Sequence, residues 1–403
     1  MNKVYLVSKD GKQITYDQLL YDLNQCEFVS QVCYQKDTYS IFLEIIASAL
    51  HGITLTILDA DFSSAEIEAL EISEDTKSRK VKVQKLLLAC IDDLIAKILS
   101  NQDWELELFT SGTTGVPKKA KHKLATFTRY LRKSAKHSSD VWGFAYNPTH
   151  IAGIQVFFQA FLNANTIVDI FGMNRETILS RINEHGITNL SATPTYYRML
   201  FPTNNVFLSI RRITSGGERF DPKLTASLLR VFPNAKISNV YASTEAGTIL
   251  ESRGEYFSIS DASYCKIENN RLYIRAELLG MEIGQIDWYD TGDLVEFVDN
   301  DQEEFRFVGR DNEMINVGGY KANPSEIEHA LCDHPDVLQA KVWGKTNPVT
   351  GTILMAEVIC SNQLTERQLR DHLKGLLQDF KIPRVIYITN EISTTRSGKI
   401  KRT

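Results

Sequence analysis

One loop of this chain concentrates groups that bind anions. Residues 109–122 read FTSGTTGVPKKAKH and combine four hydroxyls, two glycines and a cluster of basic residues. Glycines let backbone N–H groups approach an anion closely, hydroxyls donate hydrogen bonds, and lysine adds positive charge. The stretch matches neither G-x-x-x-x-G-K-[ST] nor G-x-G-x-x-G, two familiar phosphate-binding patterns. By composition alone it is either a phosphate loop or, more commonly for such sequences, a linker.

Other motifs follow the loop in order. They are YASTEAG at 241–247, YDTGDL at 289–294, FVGRDNEMINVGGYKANPSEIE at 307–328 and FKIPRVIYITNEISTTRSGKIKR at 380–402. Together with TSGTTGVPK at 110–118, and with DGKQITYDQLL near the start, they resemble the ANL adenylate-forming superfamily. This superfamily contains acyl- and aryl-CoA synthetases, adenylation domains of non-ribosomal peptide synthetases, and luciferases. The resemblance is collinear and covers essentially the whole chain.

The resemblance implies an α/β fold with two domains. A large N-terminal domain of layered α/β subdomains would span residues 1–311 and bind ATP and the acid. A small mobile α+β domain would span residues 312–403 and close over the site. The implied reaction joins a carboxylate to AMP with release of pyrophosphate. The acyl group then passes to a phosphopantetheine thiol, of CoA or of an acyl carrier protein, so the implied cofactors are ATP, Mg²⁺ and that thiol.

The loop residues would bind the β- and γ-phosphates of ATP. Donors placed around a departing pyrophosphate stabilise its developing charge. The resemblance assigns this task to Thr110, Ser111, Gly112, Thr113, Thr114, Gly115 and Lys118.

The YASTEAG motif would contact the rest of the nucleotide. Tyr241 would stack on adenine, Thr244 would contact the α-phosphate, and Glu245 would hold Mg²⁺, a hard cation that suits carboxylate oxygens. Without the resemblance, Tyr241 is a core tyrosine at a strand end. The Thr-Glu pair alone is typical of a helix N-cap.

Two other motifs would complete the nucleotide site. Gly216 and Gly217 would form the adenine-side loop, Asp293 would accept both ribose hydroxyls, and Arg310 would assist at the ribose or a phosphate. Taken alone, each of these short motifs indicates a turn.

Lys399 is the residue to which the resemblance assigns catalysis of the first step. It would swing in with the small domain and bridge the acid carboxylate and the α-phosphate. The small domain would then rotate about a hinge at Asn312, where the superfamily has Asp or Lys, and bring residues 318–320 to the adenylate. Near a chain end, a lysine is otherwise an ordinary surface charge.

His150, in YNPTHIAGI, would lie in the acid pocket and act in catalysis. Amino-acid-activating members have an Asp here to pair with the substrate ammonium, but no acid stands at 147–150. Since a buried ammonium without a counter-charge is costly, an aryl or acyl acid is favoured over an α-amino acid. The candidate wall residues, chosen by nearness to motifs, are Phe144, His150, Phe157, Thr193, Ser215, Gly216 and Ala242.

The chain departs from the superfamily in two ways. It is about a fifth shorter than typical members, and KKAKHK replaces the usual continuation of the loop. These lysines either attract phosphates, the CoA 3′-phosphate or an acidic carrier protein, or form a solvated face. Two rivals to a thioester-forming ligase stay open: an adenylating enzyme with an amine acceptor, and a silent adenylate-binding protein.

Composition limits the surroundings of the protein. A net charge of −5 argues against a nucleic-acid partner, and no apolar run is long enough for a membrane span. The six cysteines form no CxxC pair and, with no apparent signal peptide, indicate a reduced protein of the cytoplasm.

The elements that must position the motifs can be predicted from periodicity. The spacing predicts a helix over 38–51 that ends at Gly52 and a helix over 83–100. Strands are expected at WELELF, before the loop, and at 288–299, around Asp293. Alternating strands and helices between 154 and 247 predict a mostly parallel sheet, and 325–389 predicts a small α+β unit.

Overall fold

The computed structural model describes residues 3–110, 118–218, 222–252, 254–259, 261–280, 284–298, 303–317, 320–347 and 351–393. The first part of the chain alternates short strands and helices. Its elements are β1 (Val4–Val7), β2 (Gln13–Thr15), α1 (Tyr16–Asn24), β3 (Phe28–Ser30), β4 (Val32–Cys33), α2 (Thr38–His51), β5 (Leu55–Ile57), α3 (Ser64–Ala69), α4 (Glu74–Lys77), β6 (Lys80–Lys82), α5 (Ile91–Ser100), β7 (Glu105–Thr110), β8 (Lys118–Lys123) and α6 (Leu124–Thr128).

Helix α2 has the limits that the sequence predicts. The Asp37 side chain caps its N-terminus by accepting a hydrogen bond from the Ser40 amide. Gly52 ends the helix with φ of +66°, a left-handed conformation that glycine adopts without strain.

The helix predicted over 83–100 is wrong for its first half, because α5 begins only at Ile91. The side chain of Asn24 explains the difference. Its amide donates to the Leu88 carbonyl at 3.1 Å, and its oxygen accepts from the Leu88 N–H at 2.8 Å. These bonds occupy the backbone groups that Leu88 would need in a helix.

The central part of the chain builds the main sheet. Its elements are a 3₁₀ turn (Ala135–His137), β9 (Val141–Phe144), α7 (Ile151–Phe161), β10 (Thr166–Asp169), α8 (Arg175–Glu184), β11 (Asn189–Ala192), α9 (Pro194–Met199), β12 (Arg212–Gly216), α10 (Pro222–Val231), β13 (Lys236–Ser243) and β14 (Gly247–Ser252). Among the described residues the sheet has eight strands, in the order β14-β13-β12-β11-β9-β10-β1-β2. The strands from β13 to β1 are parallel, and β14 and β2 are antiparallel edges, which confirms the predicted sheet.

Two apolar cores cover the two faces of this sheet. On one face, α2, α5 and α7 pack together, and the rings of Phe42 and Phe157 stack with centroids 4.2 Å apart. On the other face, α8 and α10 pack around buried residues such as Ile182 and Leu228. The sheet is therefore a rigid platform between helical layers.

The last part of the chain forms smaller sheets. Its elements are β15 (Phe257–Ser258), β16 (Cys265–Glu268), β17 (Arg271–Arg275), a 3₁₀ turn (Ala276–Leu278), β18 (Trp288–Phe297), β19 (Glu304–Arg310), a 3₁₀ turn (Asp311–Glu313), β20 (Ile315–Val317), β21 (Tyr320–Ala322), α11 (Pro324–Cys332), β22 (Val337–Asn347), β23 (Gly351–Cys360), α12 (Glu366–Lys374), a 3₁₀ turn (Asp379–Lys381) and β24 (Val385–Ile388). Strands β15 to β19 form an antiparallel sheet. Strands β22 to β24 pack with α11 and α12 around a separate core.

The predicted fold class is therefore confirmed: layered α/β structure precedes a small α+β unit. Within the described ranges, no helix combines the length and apolar character needed to cross a membrane. All of the cysteines are described and each is a free thiol.

Candidate active site

Three residues that the motifs single out meet at one point. The Tyr241 hydroxyl, at the end of β13, donates to Asp293 Oδ2 at 2.5 Å. Asp293 on β18 lies opposite Arg310 on β19, whose Nε donates to Asp293 Oδ1 at 2.6 Å. The structure thus brings together Tyr241, Asp293 and Arg310, which come from separate motifs.

Burial and neighbouring charges shift the pKa values of Tyr241 and Arg310. Burial, and then the Asp293 carboxylate, raise the pKa of Tyr241, so the phenol keeps its proton and donates a hydrogen bond to Asp293. Burial lowers the pKa of Arg310, but the opposing charge and hydrogen bond of Asp293 outweigh it, so its pKa is raised overall. One face of the Tyr241 ring stacks on Phe307, with centroids 4.5 Å apart. At most the other face is left to stack on a base.

Thr244 and Glu245 lie in the turn between β13 and β14. The expectation that Thr-Glu alone caps a helix is wrong, because the chain reverses here into an antiparallel strand. The Thr244 carbonyl binds Nε2 of His122 at 2.7 Å, and the Glu245 carbonyl accepts from the Gly280 N–H at 2.6 Å. These contacts hold the turn against neighbouring strands.

His122 is a residue of this site that sequence reasoning missed. It lies on the inner face of β8, 1% exposed, and burial lowers its pKa to about 4. Strand alternation in KKAKHK carries the signal, because it places His122 on the face opposite Lys119, Lys121 and Lys123. A neutral imidazole therefore supports the Thr244 carbonyl.

Gly216 and Gly217 end β12 beside the same turn. A Cβ on Gly216 would lie 2.6 Å from Cγ2 of Val240, so no larger residue fits. Gly217 has φ of +84°, which favours glycine. Both residues line a cavity of about 720 Å³.

This cavity lies between α7 and one face of the main sheet. Of the predicted wall residues, His150, Thr193, Gly216 and Ala242 line it, as does Thr244. Three predictions are wrong. Phe144, Phe157 and Ser215 are fully buried and do not line the cavity. Both phenylalanines pack on Phe42 of α2, and Ser215 follows Thr214 on the strand, so it faces the other side of the sheet.

No acid stands at 147–150 itself, but the fold places an acid from a distant part of the chain beside His150. Asp59, which follows β5, is 6% exposed, and its Oδ2 lies 3.0 Å from both His150 Nε2 and Asn147 Nδ2. Sequence reasoning missed it because Asp59 is distant along the chain. Its carboxylate is already committed to His150 and Asn147, so it orients these groups and is not a free counter-charge for an ammonium.

The remaining predicted residues are only partly within the described structure. Thr110 and Lys118 face each other as the ends of β7 and β8, and Lys118 is exposed. Ser111, Gly112, Thr113, Thr114, Gly115 and Lys399 lie outside the described residues, so their assigned roles stay predictions. Within the described ranges no group of three or more His, Cys, Asp or Glu residues is arranged to hold a metal.

The lysines after the loop are paired within the hairpin. Lys119 lies 3.2 Å from Glu107, Lys121 lies 3.1 Å from Glu105, and Lys123 lies 3.6 Å from Asp103. Of the two alternatives for KKAKHK, this favours a solvated, internally neutralised face over an anion-attracting patch.

Comparison with known proteins agrees with this geometry. The AMP-binding enzyme profile matches residues 12–265, and the profile of the AMP-binding enzyme C-terminal domain matches 326–399. The 4-hydroxybutyrate–CoA ligase 1 of Metallosphaera sedula is 27% identical over 359 residues, 75% of this chain and 61% of that protein. The human mitochondrial acyl-coenzyme A synthetase ACSM5 is 24% identical over 395 residues, 85% of this chain and 68% of that protein. The chain thus spans roughly two thirds of the length of these relatives.

Solved structures share the fold. The anthranilate CoA ligase AuaEII in complex with anthranoyl-AMP superposes with a TM-score of 0.75 at 19% identity, covering 99% of this chain and 92% of that one. The o-succinylbenzoate CoA synthetase of Bacillus subtilis with its acyl-adenylate gives a TM-score of 0.71 at 19% identity, covering 99% and 94%. The matched profiles, the motifs and this fold together show that the chain belongs to the family of AMP-binding, adenylate-forming enzymes.

Proposed function

We propose that the protein is an AMP-forming acid–thiol ligase. It joins an aryl or acyl carboxylic acid to AMP, releases pyrophosphate, and transfers the acyl group to a phosphopantetheine thiol. One observation carries the proposal: the cluster of Tyr241, Asp293 and Arg310 adjoins the cavity, because Ala242, next to Tyr241, lines it. A nucleotide site beside a cavity that can hold the acid is what acid adenylation requires. The names of the relatives, CoA ligases and acyl-CoA synthetases, support the same class.

The nucleotide half of the reaction would use the residues of the turn and the cluster. Asp293 would accept the ribose hydroxyls with the lone pairs that Tyr241 and Arg310 leave free, since each carboxylate oxygen accepts more than one hydrogen bond. Thr244 would contact the α-phosphate, and Glu245 would hold Mg²⁺, which neutralises phosphate charge. Residues 110–118 would bind the leaving pyrophosphate, and Lys399 would bridge the two reacting groups.

The acid half would use the cavity. His150 lines it while Asp59 holds its Nε2, so the ring keeps one orientation toward the bound acid. Because the Asp59 carboxylate is engaged, an α-ammonium would lack a free partner there, and we expect simple acids and not α-amino acids to be activated.

The second half-reaction would require the small domain, residues 312–403, to rotate. Asp311 lies beside the proposed hinge residue Asn312. Its carboxylate contacts Arg271 of the large domain at 3.0 Å and Lys321 of the small domain at 3.3 Å. Lys223 of α10 also donates to the carbonyls of Cys332 and His334, beyond the boundary. Rotation would break such contacts, so they would stabilise one of two arrangements.

The acceptor thiol belongs to CoA or to an acyl carrier protein. The paired lysines of β8 give no reason to prefer an acidic carrier protein. We propose a cytoplasmic location, which the free cysteines support, and partners that include neither nucleic acid nor membrane.

Pyrophosphate release tests the proposal. Mg²⁺-ATP is supplied with benzoates, cinnamates, short and medium fatty acids, and amino acids, each with and without CoA. Release for one acid class, with a CoA thioester of the correct mass, supports the full reaction. Release without stimulation by CoA points to a carrier protein or an amine acceptor. Folded protein that binds ATP but releases no pyrophosphate with any acid would favour a silent adenylate-binding protein.

A further inference from the structure

The floor of the cavity carries polar side chains toward the end that lies away from the nucleotide residues. It is made by one face of β11, β12 and β13, whose residues lie side by side in rows. Nearest the nucleotide residues, Gly216 pairs with Val240. In the middle row, Ser191, Thr214 and Ser238 are adjacent, and all three line the cavity.

The farthest row lies at the amino ends of the strands. Asn189 is flanked by Trp142 and Arg212, and Arg212 by Lys236; all four line the cavity. From Gly216 to Arg212 is four residues along β12, or about 13 Å at 3.3 Å per residue. The cavity therefore extends from the carboxyl ends of these strands, near the nucleotide residues, to their amino ends.

Asn189 leaves an unused acceptor at that far end. The residue is 1% exposed, and no atom of the described part of the chain hydrogen-bonds its Oδ1. Its Nδ2 donates to Asp140 Oδ2 at 3.1 Å, which fixes the amide orientation, because the flipped amide would set Oδ1 against a carboxylate. A buried acceptor without a donor costs free energy, so a ligand that donates a hydrogen bond here is favoured.

The charges around Asn189 select the kind of donor. Asp140 already accepts from Arg211, Arg212 and His137 as well as from Asn189, so it is saturated. Arg212 and Lys236 leave the neighbourhood positive, which repels an ammonium. A carboxylate would suit those cations but has no proton to give to Asn189. A hydroxyl satisfies both demands, since it donates one hydrogen bond and accepts others.

We infer that the acid bound by this protein carries a hydroxyl group at the end remote from its carboxyl group, and that this hydroxyl donates a hydrogen bond to Asn189 Oδ1. This inference rests on the proposed function. The cavity extends about 13 Å along β12, a length that suits an acid with a remote hydroxyl group. para-Hydroxycinnamate and medium-chain ω-hydroxy fatty acids belong to this class.

Matched acid pairs test the inference. para-Hydroxycinnamate is compared with para-methylcinnamate, and an ω-hydroxy fatty acid with its ω-methyl counterpart. Both kcat/KM for pyrophosphate release and Kd by calorimetry are measured. In the native protein we expect a preference of about ten- to a hundred-fold for the hydroxylated acid of at least one pair. In Asn189→Leu the preference should fall to about unity, whereas in Ser238→Ala, in the middle row, both acids should change equally and the preference should persist.

The outcomes separate this inference from the proposed function. Equal use of both members of each pair, or preference for the methyl analogue or for an ω-dicarboxylic acid, overturns the inference and leaves the ligase standing. If no acid releases pyrophosphate, the proposed function fails. The Kd values of each acid pair then test the hydroxyl site alone. Equal affinities for the hydroxylated acid and its methyl analogue refute the site, and tighter binding of the hydroxylated acid supports it. If Asn189→Leu does not fold, the preference measured in the native protein is enough to support or refute the hydroxyl site.

Discussion

Asp293 and Arg310 face each other across the antiparallel strands β18 and β19, and the guanidinium Nε lies 2.6 Å from Asp293 Oδ1. Asp293 is buried, Arg310 keeps part of its side chain in solvent, and the Tyr241 hydroxyl completes the cluster. Asp293 therefore serves two purposes. It pairs with a cation of the fold, and it offers the acceptor lone pairs that a ribose would use.

Asp293→Asn should weaken ATP binding and also destabilise the protein. The amide loses the charge that holds Arg310, and a hydrogen bond to a charged group contributes about 1.5–3 kcal/mol. We expect KM for ATP to rise at least about ten-fold and the midpoint of thermal unfolding to fall. Asp290→Asn, on the same strand but exposed and bonded to Arg271, is the control. Equal KM values for both variants would contradict the role of Asp293.

Lys399→Ala should cut adenylation roughly 10²–10³-fold, by analogy with the loss of one preorganised charge donor. ATP affinity should be nearly unchanged, because Lys399 would act on the reacting groups and not on the base or ribose. Pyrophosphate release and nucleotide binding are measured separately. Lys401→Ala, two residues on, tests whether any nearby positive charge suffices. Release at the native rate in Lys399→Ala would remove this lysine from the mechanism.

Asp59→Asn should act through His150. The neutral amide holds Nε2 more weakly than a carboxylate, so the imidazole loses its fixed orientation. We expect kcat/KM for the acid to fall about ten-fold while KM for ATP is unchanged, and His150→Ala to have an effect at least as large. The exposed neighbour Asp61, changed to Asn, is the control. A loss equal for ATP and for the acid would indicate a structural defect instead of a positioning role.

His122 should make folding stability depend on pH. Burial lowers its pKa to about 4, against 6.5 for an unperturbed histidine. Between these values the unfolded state binds more protons, so stability is full above about pH 6.5 and falls as pH drops toward 4. At 1.36 kcal/mol per unit, the loss approaches about 3 kcal/mol. Nearby Glu245 opposes this shift and Arg129 adds to it.

Urea unfolding of His122→Gln at several pH values checks this prediction. The pH dependence over that window should be shallower than in the native protein. His185→Gln is the matched control, because burial also lowers the pKa of His185 but the residue is less enclosed. If the two variants retain the same slope as the native protein, neutral His122 is not the source.

The sequence predicted some elements well because local chemistry decides them. Asp37 and Gly52 bound α2 through their own side-chain and backbone conformation. The parallel sheet followed from alternating apolar segments. Residues 83–90 were mispredicted because the side chain of Asn24, which is distant in sequence, hydrogen-bonds both the N–H and the carbonyl of Leu88.

The candidate site was predicted from motifs, and its limits have a physical cause. Motifs identified Tyr241, Asp293 and Arg310, which do meet. Nearness to a motif could not say which way a strand residue points, so Ser215 was placed on the wrong face. Neither Asp59 nor Asn189 belongs to a motif, and only the packing of β5 and β11 against the rest of the sheet layers makes them part of the site.

The paired charges of the β7–β8 hairpin have a consequence for protein engineering. Two of its lysines meet acids across the strands, and sliding one strand by a single residue would turn His122 and Ala120 out to solvent. The hairpin thus holds its own alignment, independently of the residues between Thr110 and Lys118. We therefore expect phosphate-loop sequences exchanged between these two anchor points to leave the register of the strands unchanged, which makes this connection a suitable place for such exchanges.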